Sequence, residues 1–218
     1  AAAAHCNMDD LILNQNTGTV YFADPELQLD VGSIGKGYAV EQCAQAAEAR
    51  GLTSALVSVG GNLRAIGTKP DGSQWTGGVE NPWNASDLYT ASSMLSGAIN
   101  MSDMALVTSG DYQRYFVVDG KRYHHIIDPK TGKPAESGLV SVTVVCGDGA
   151  WADALSTACF VLGEAGSLAL RDTLAAEKNL CIELILVTDE GHVRYTAGLA
   201  ERFEPSEEGT YVYEAIIA

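Results

Sequence analysis

Short apolar runs divided by tight-turn residues set the first limit on what this chain can fold into. Leu11–Phe22 holds two such runs around Asn14-Gln15-Asn16-Thr17-Gly18, the pattern of a hairpin. Asp119-Gly120 separates Tyr115–Val118 from Tyr123–Ile127, and Glu190-Gly191 separates Ile182–Thr188 from His192–Thr196. A two-residue turn ending in glycine between apolar runs signals a hairpin. Further strands are predicted at Leu27–Val31, Ser54–Val59, Gly77–Glu80, Met94–Asn100, Ala105–Thr108 and Val140–Cys146. Helical patterning is confined to two places. One helix is expected from about Tyr38 to Arg50, stopped by Gly51. A pair follows later, Ala150–Leu162 and Ser167–Glu177. Many strands joined by turns, with few helices, predict a mixed α+β fold of mainly antiparallel sheets and not a doubly wound parallel sheet. No repeat, low-complexity tract or linker interrupts it, so residues 1–218 read as a single domain.

The chain has 218 residues, enough for one sizeable core or at most two small ones. Apolar residues make up 46% and charged residues 19%, which excludes a disordered chain. No apolar run reaches the length of a bilayer span. Ala1 to Ala4, His5 and Cys6 form neither a basic nor an apolar leader region, so no signal peptide is expected here. Thirteen basic against 28 acidic residues leave a net charge of −15. Such a field disfavours nucleic acid and anionic membrane as partners. A phosphate site in this chain must bring its own cations. A local basic patch exists between residues 114 and 133 (Arg114, Lys121, Arg122, Lys130, Lys133), which a solvated hairpin would equally explain. The five cysteines form no C-x-x-C pair, so neither a zinc knuckle nor a disulfide framework is expected, and free thiols in apolar stretches default to burial.

Five constellations could carry chemistry. Asp30-x-Gly32-Ser33-x-Gly35-Lys36-Gly37 lies between a predicted strand and a helix. Helix-start amides with a lysine favour an anion, though a structural turn fits the spacing as well. Val59-Gly60-Gly61-Asn62 suits a bulge or close backbone packing. Thr108-Ser109-Gly110-Asp111-Tyr112 lacks a nucleophile-elbow pattern around Ser109, which makes Ser109 a wall of a site and not an attacking group. His124 and His125 are adjacent on a predicted strand and must point to opposite faces, so they cannot share a metal. One of them could move a proton near neutral pH. Asp153 and Thr157 sit four apart on a helix and share a face. A carboxylate beside a hydroxyl suits magnesium, and a carboxylate that merely complements the helix dipole is the plainer alternative.

The ordered set of motifs is more specific than any member. DVGSIGKGYAVE (30–41), VSVGGN (57–62), TSGDYQRYF (108–116), YHHIIDPKTGKP (123–134), SVTVV (141–145) and ADALSTACFVLG (152–163) resemble, in that order, the ApbE family of FAD:protein FMN transferases. The resemblance runs from about Leu11 to the chain end, and it departs from the commonest pattern at Ser33 and Gly35. It implies an ApbE-like, T-fold type architecture. It also implies that Asp153, Thr157 and the backbone carbonyl of Ser33 bind magnesium. Asp30, Lys36, Ser109, His125 and Ile127 would contact FAD, with His125 as the catalytic residue.

The implied reaction attaches FMN through a phosphoester to a Thr or Ser of an acceptor protein and releases AMP. Members of that family are longer at the N-terminus. The domain is therefore expected to be N-terminally incomplete, holding the metal and phosphate half of the site. The family's exported members are lipid-anchored, which implies the extracytoplasmic face of a membrane, without direct insertion by this segment. Two alternatives use the same residues: a magnesium-dependent FAD pyrophosphatase giving FMN and AMP, and a non-catalytic FAD-binding protein.

Overall fold

One apolar strand near the middle of the chain is covered on both sides, and that organises the layers. Along Leu139–Cys146, Val142, Val144 and Cys146 face one core while Val145 faces another. Leu184 and Leu186 of Ile182–Thr188 divide in the same way from Ile185 and Val187. Side chains alternate along a strand, so an almost continuous apolar run is the signature of a sheet buried on both faces.

The computed structural model describes residues 2–83, 95–207 and 211–217. In chain order the elements are β1 (Leu11–Asn14), β2 (Thr19–Phe22), α1 (Gly35–Glu48), β3 (Ala55–Val59), β4 (Asn62–Ile66), β5 (Trp75–Glu80), β6 (Leu95–Met101), β7 (Ala105–Gly110), β8 (Tyr115–Val118) and β9 (Lys121–His124). They continue as β10 (Ile127–Asp128), β11 (Lys133–Pro134), β12 (Leu139–Cys146), α2 (Gly149–Lys178), β13 (Ile182–Thr188), β14 (His192–Thr196), β15 (Phe203–Pro205) and β16 (Val212–Ile216). A seven-stranded sheet runs β16-β14-β13-β12-β7-β4-β3. Its pairs are antiparallel except β14 with β16. α2 packs on one face through Leu155, Cys159 and Phe160. The three-stranded sheet β15-β6-β5 packs on the other through Ile99, Met101 and Phe203. The mixed, mainly antiparallel α+β fold is the expected one.

The hairpins at Asp119-Gly120 and Glu190-Gly191 form as expected. Several boundaries differ, each for a physical reason. Leu27–Val31 is not a strand: it is irregular chain between two turns, where the Asp24 and Asp30 side chains accept from the Glu26 and Gly32 amides. Leu29 and Val31 stay 49% and 58% exposed, so its alternation has no sheet to face. The expected strand Tyr123–Ile127 breaks after His124. The Ile126 carbonyl accepts from Ala135, and Ile127–Asp128 pairs with β11 instead of β8. Met94, the start of another expected strand, lies outside the described residues, and the rest of that strand is β6.

α1 begins at Gly35, three residues before the expected start, which puts Lys36 and Gly37 in its first turn. The expected helix pair is one element, α2, broken at Gly163 (φ 70, ψ −178). Beside the break, Ser167 Oγ donates to the Gly163 carbonyl at 2.7 Å, with the Cys159 carbonyl 3.0 Å away. By length and composition α2 is apolar enough to cross a membrane, which the sequence patterning did not suggest. Its two segments on either side of Gly163 are each shorter than the ~20 residues a bilayer core needs. Of the five cysteines, all free, Cys146 and Cys159 are buried, while Cys6, Cys43 and Cys181 are exposed.

Candidate active site

The first turns of α1 and α2 meet glycine to glycine, at Gly37 and Gly149. A Cβ on Gly37 would lie 2.1 Å from the Gly149 carbonyl oxygen and 2.4 Å from the Asp153 Cβ. Glycine is needed here for helix approach, not for loop freedom. The contact brings the Gly37 amide to Asp153 Oδ2, an N–H···O bond of 2.7 Å. The β3–β4 turn closes the same corner. Gly60 (φ 57) and Gly61 (φ 92) adopt the left-handed conformation of a two-residue hairpin turn, and the Lys36 side chain packs across Gly60.

Above this junction lies a cleft of about 710 Å³. Asp30, Ser33 and Lys36 line it from the α1 loop, Ser109 from β7, and Asp153 and Thr157 from α2. His125 and Ile127 border it from the segment after β9. All eight residues singled out by sequence therefore share one cavity, although they come from four separate stretches of chain. Gln113 and Arg114 also line it and were not assigned. Both lie in the TSGDYQRYF motif, and Arg114 stood in the basic patch as well.

Asp153 is 3% exposed. Among the described residues its Oδ1 makes no hydrogen bond. Oδ1 is not among the buried unpaired atoms, so it is open to the cleft that Asp153 lines, where a cation could meet it.

Thr157 is oriented to help. Ser156 Oγ donates to the Asp153 carbonyl at 2.9 Å. Each hydroxyl has one proton, so in the 2.7 Å contact between Ser156 and Ser109 the donor is Ser109. In the 3.2 Å contact between Ser109 and Thr157 the donor is then Thr157. Its proton points at Ser109 and its lone pairs are left for another ligand. Ser109 lines the cleft with its own proton already committed to Ser156. Among the described residues no three His, Cys, Asp or Glu side chains form a metal cage. The donors at hand are hard oxygens in small number, which fit magnesium with its retained waters.

The two histidines take opposite faces. His124 is half-buried, its Nε2 donating to the Ala135 carbonyl at 3.1 Å and its ring edge-on to Phe160. His125 faces the cleft. Its Nδ1 must be the protonated nitrogen, since it donates to the Arg114 carbonyl at 3.1 Å. Nε2 is thereby left as an acceptor. Partial withdrawal from water lowers the His125 pKa below its usual 6.5, and the nearby Arg114, His124 and Lys36 push the same way. The bond to the Arg114 carbonyl opposes them. The imidazole is neutral at pH 7, as a base requires.

Hard oxygen donors beside Lys36 and Arg114, at the start of a helix, are chemically suited to a phosphate ester. The chain belongs to the ApbE family, whose model matches residues 1–180. It is similar to FAD:protein FMN transferases of Haemophilus influenzae (35% identical, covering 89% of this chain and 54% of that protein) and Treponema pallidum (37%, 84% and 50%). Solved structures agree. The ApbE protein of Thermotoga maritima matches with a TM-score of 0.71 at 35% identity, over 94% of this chain and 60% of that one. The Pseudomonas stutzeri flavinyl transferase ApbE matches at 0.70 and 33%, over 95% and 60%. The chain spans about half the length of the curated relatives it matches.

Proposed function

We propose that this chain performs magnesium-dependent FMN transfer from FAD to a Thr or Ser hydroxyl of an acceptor protein, releasing AMP. The observation that carries the reading is the convergence of Asp153, Thr157, Lys36 and His125 on one cleft from three distant segments. Asp153, Thr157 and the Ser33 carbonyl would hold the magnesium ion, which supplies charge neutralisation at the FAD diphosphate. Lys36 and Arg114 bring fixed positive charge to the same place, against the chain's net −15. His125 Nε2 accepts the proton of the acceptor hydroxyl as its oxygen bonds to the FMN-side phosphorus. The phosphorus–oxygen bond to AMP breaks, and AMP leaves with the bonding electrons. Asp30 and Ile127 border the remaining nucleotide.

The test incubates the protein with FAD, magnesium and an acceptor protein, then resolves the products on a denaturing gel. Flavin fluorescence retained on the acceptor, with AMP released in equal amount, is the expected result. Free FMN with AMP and no labelled acceptor would identify a pyrophosphatase instead. Bound FAD without AMP would identify a carrier.

A further inference from the structure

The crossing of α1 and α2 is reciprocal. Asp153, four residues beyond Gly149 on α2, accepts the Gly37 amide of α1. Glu41, four residues beyond Gly37 on α1, accepts the Gly149 amide of α2 through Oε2 at 2.8 Å. Each helix thus supplies the carboxylate that satisfies an orphan N–H in the other's first turn. The two carboxylates differ in what else they meet. Asp153 borders the cleft. Glu41 is 4% exposed and closed off: Arg64 Nε donates to Oε2 at 3.0 Å, and Gln45 Nε2 donates to Oε1 at 3.0 Å.

We infer that Glu41 is a positioning residue for the cleft, acting through Gly149 to hold Asp153 and Thr157 at the level of Lys36. The inference rests on the proposed metal role of Asp153. A buried ion pair is a weak stability device, because apolar residues of similar size often serve as well. What an apolar pair cannot do is accept the Gly149 amide. That directed bond sets how far α2 slides along α1, and with it where the free Oδ1 of Asp153 stands.

The test replaces the pair by apolar residues, Glu41→Leu with Arg64→Met, and uses Mn2+ as the probe ion. The variant should stay folded, with a thermal midpoint lowered by the orphaned Gly149 amide. Exchange of the Gly37 and Gly149 amides, followed by NMR, should quicken about tenfold or more. Mn2+ affinity should fall about 10- to 100-fold, the range for residues that orient metal ligands. Glu41→Gln keeps an oxygen for the Gly149 amide and should retain Mn2+ affinity within about threefold. A folded double variant with parental exchange rates and Mn2+ affinity overturns the inference. Should the parent itself not bind Mn2+, the metal reading fails, while faster Gly37 exchange in the variant would still support positioning. Should the double variant not fold, Glu41→Asp, one methylene short of Gly149, is judged by the same exchange measurement: quickened exchange supports the role and unchanged exchange overturns it.

Discussion

The Asp153 carboxylate accepts the Gly37 amide at 2.7 Å across 116 residues of sequence. That bond joins the glycine-lysine turn to the helix that carries Thr157, and so fuses two motifs into one cleft. The close approach it requires is possible because residue 37 has no side chain.

Two glycines two residues apart should therefore respond oppositely to alanine. Gly37→Ala drives a Cβ into the Gly149 carbonyl, and overpacking against backbone should cost about 1–3 kcal/mol. Gly35→Ala meets nothing within 4 Å and lies at the start of the helix. It should be neutral or stabilising by up to about 1 kcal/mol. Urea denaturation of both variants decides; equal losses would refute the helix-crossing role.

Asp153→Asn keeps a carbonyl oxygen for the Gly37 amide and removes the charge. The fold should persist with little change in thermal midpoint. Magnesium-dependent AMP release should fall by about 100-fold or more, since a metal-ion contribution is worth several kcal/mol. Parental release rates in this variant would remove Asp153 from the proposed metal set.

The hydroxyl chain makes Ser109 and Ser156 testable. Ser109→Ala takes away the acceptor of the Thr157 proton. The magnesium concentration for half-maximal activity should rise about tenfold, as for other groups that orient metal ligands. Activity at saturating magnesium should recover. A loss of activity that magnesium does not restore would instead mark Ser109 as a direct FAD contact.

His125 should set the acidic limb of activity. Its pKa lies below the usual 6.5, so the base should stay active through neutral pH and fail only on the acid side. His125→Gln should abolish that limb along with most activity. Stability follows the same sign. Between the lowered folded value and the unfolded value, the unfolded chain binds more protons. Stability therefore falls as pH drops through that window, and the variant should lose this dependence. Unfolding followed from pH 4 to 8 checks it.

Local pattern determined a good deal of this protein. Turn glycines at Asp119-Gly120 and Glu190-Gly191 placed hairpins, because their conformational demands are local. His124 and His125 take different sides as alternation predicted, although β9 ends at His124 and it is the bend at His125 that turns the second ring to the cleft; helical spacing put Asp153 and Thr157 on the same cleft wall. The ordered motifs carried the family. Local pattern could not show what stands beside a segment. Leu27–Val31 alternates like a strand and stays irregular, because pairing depends on a neighbour and not on the run itself. Gly37 read as a loop glycine and proved to be a helix contact, because the atom it makes room for is 112 positions away at Gly149. Glu41 and Ser156 looked like ordinary helix residues, and their partners Gly149 and Ser109 are brought to them by packing alone. Hydrogen-bond partners distant in sequence are chosen by the tertiary fold, and it was there that the cleft acquired its open carboxylate, its oriented threonine and its neutral histidine.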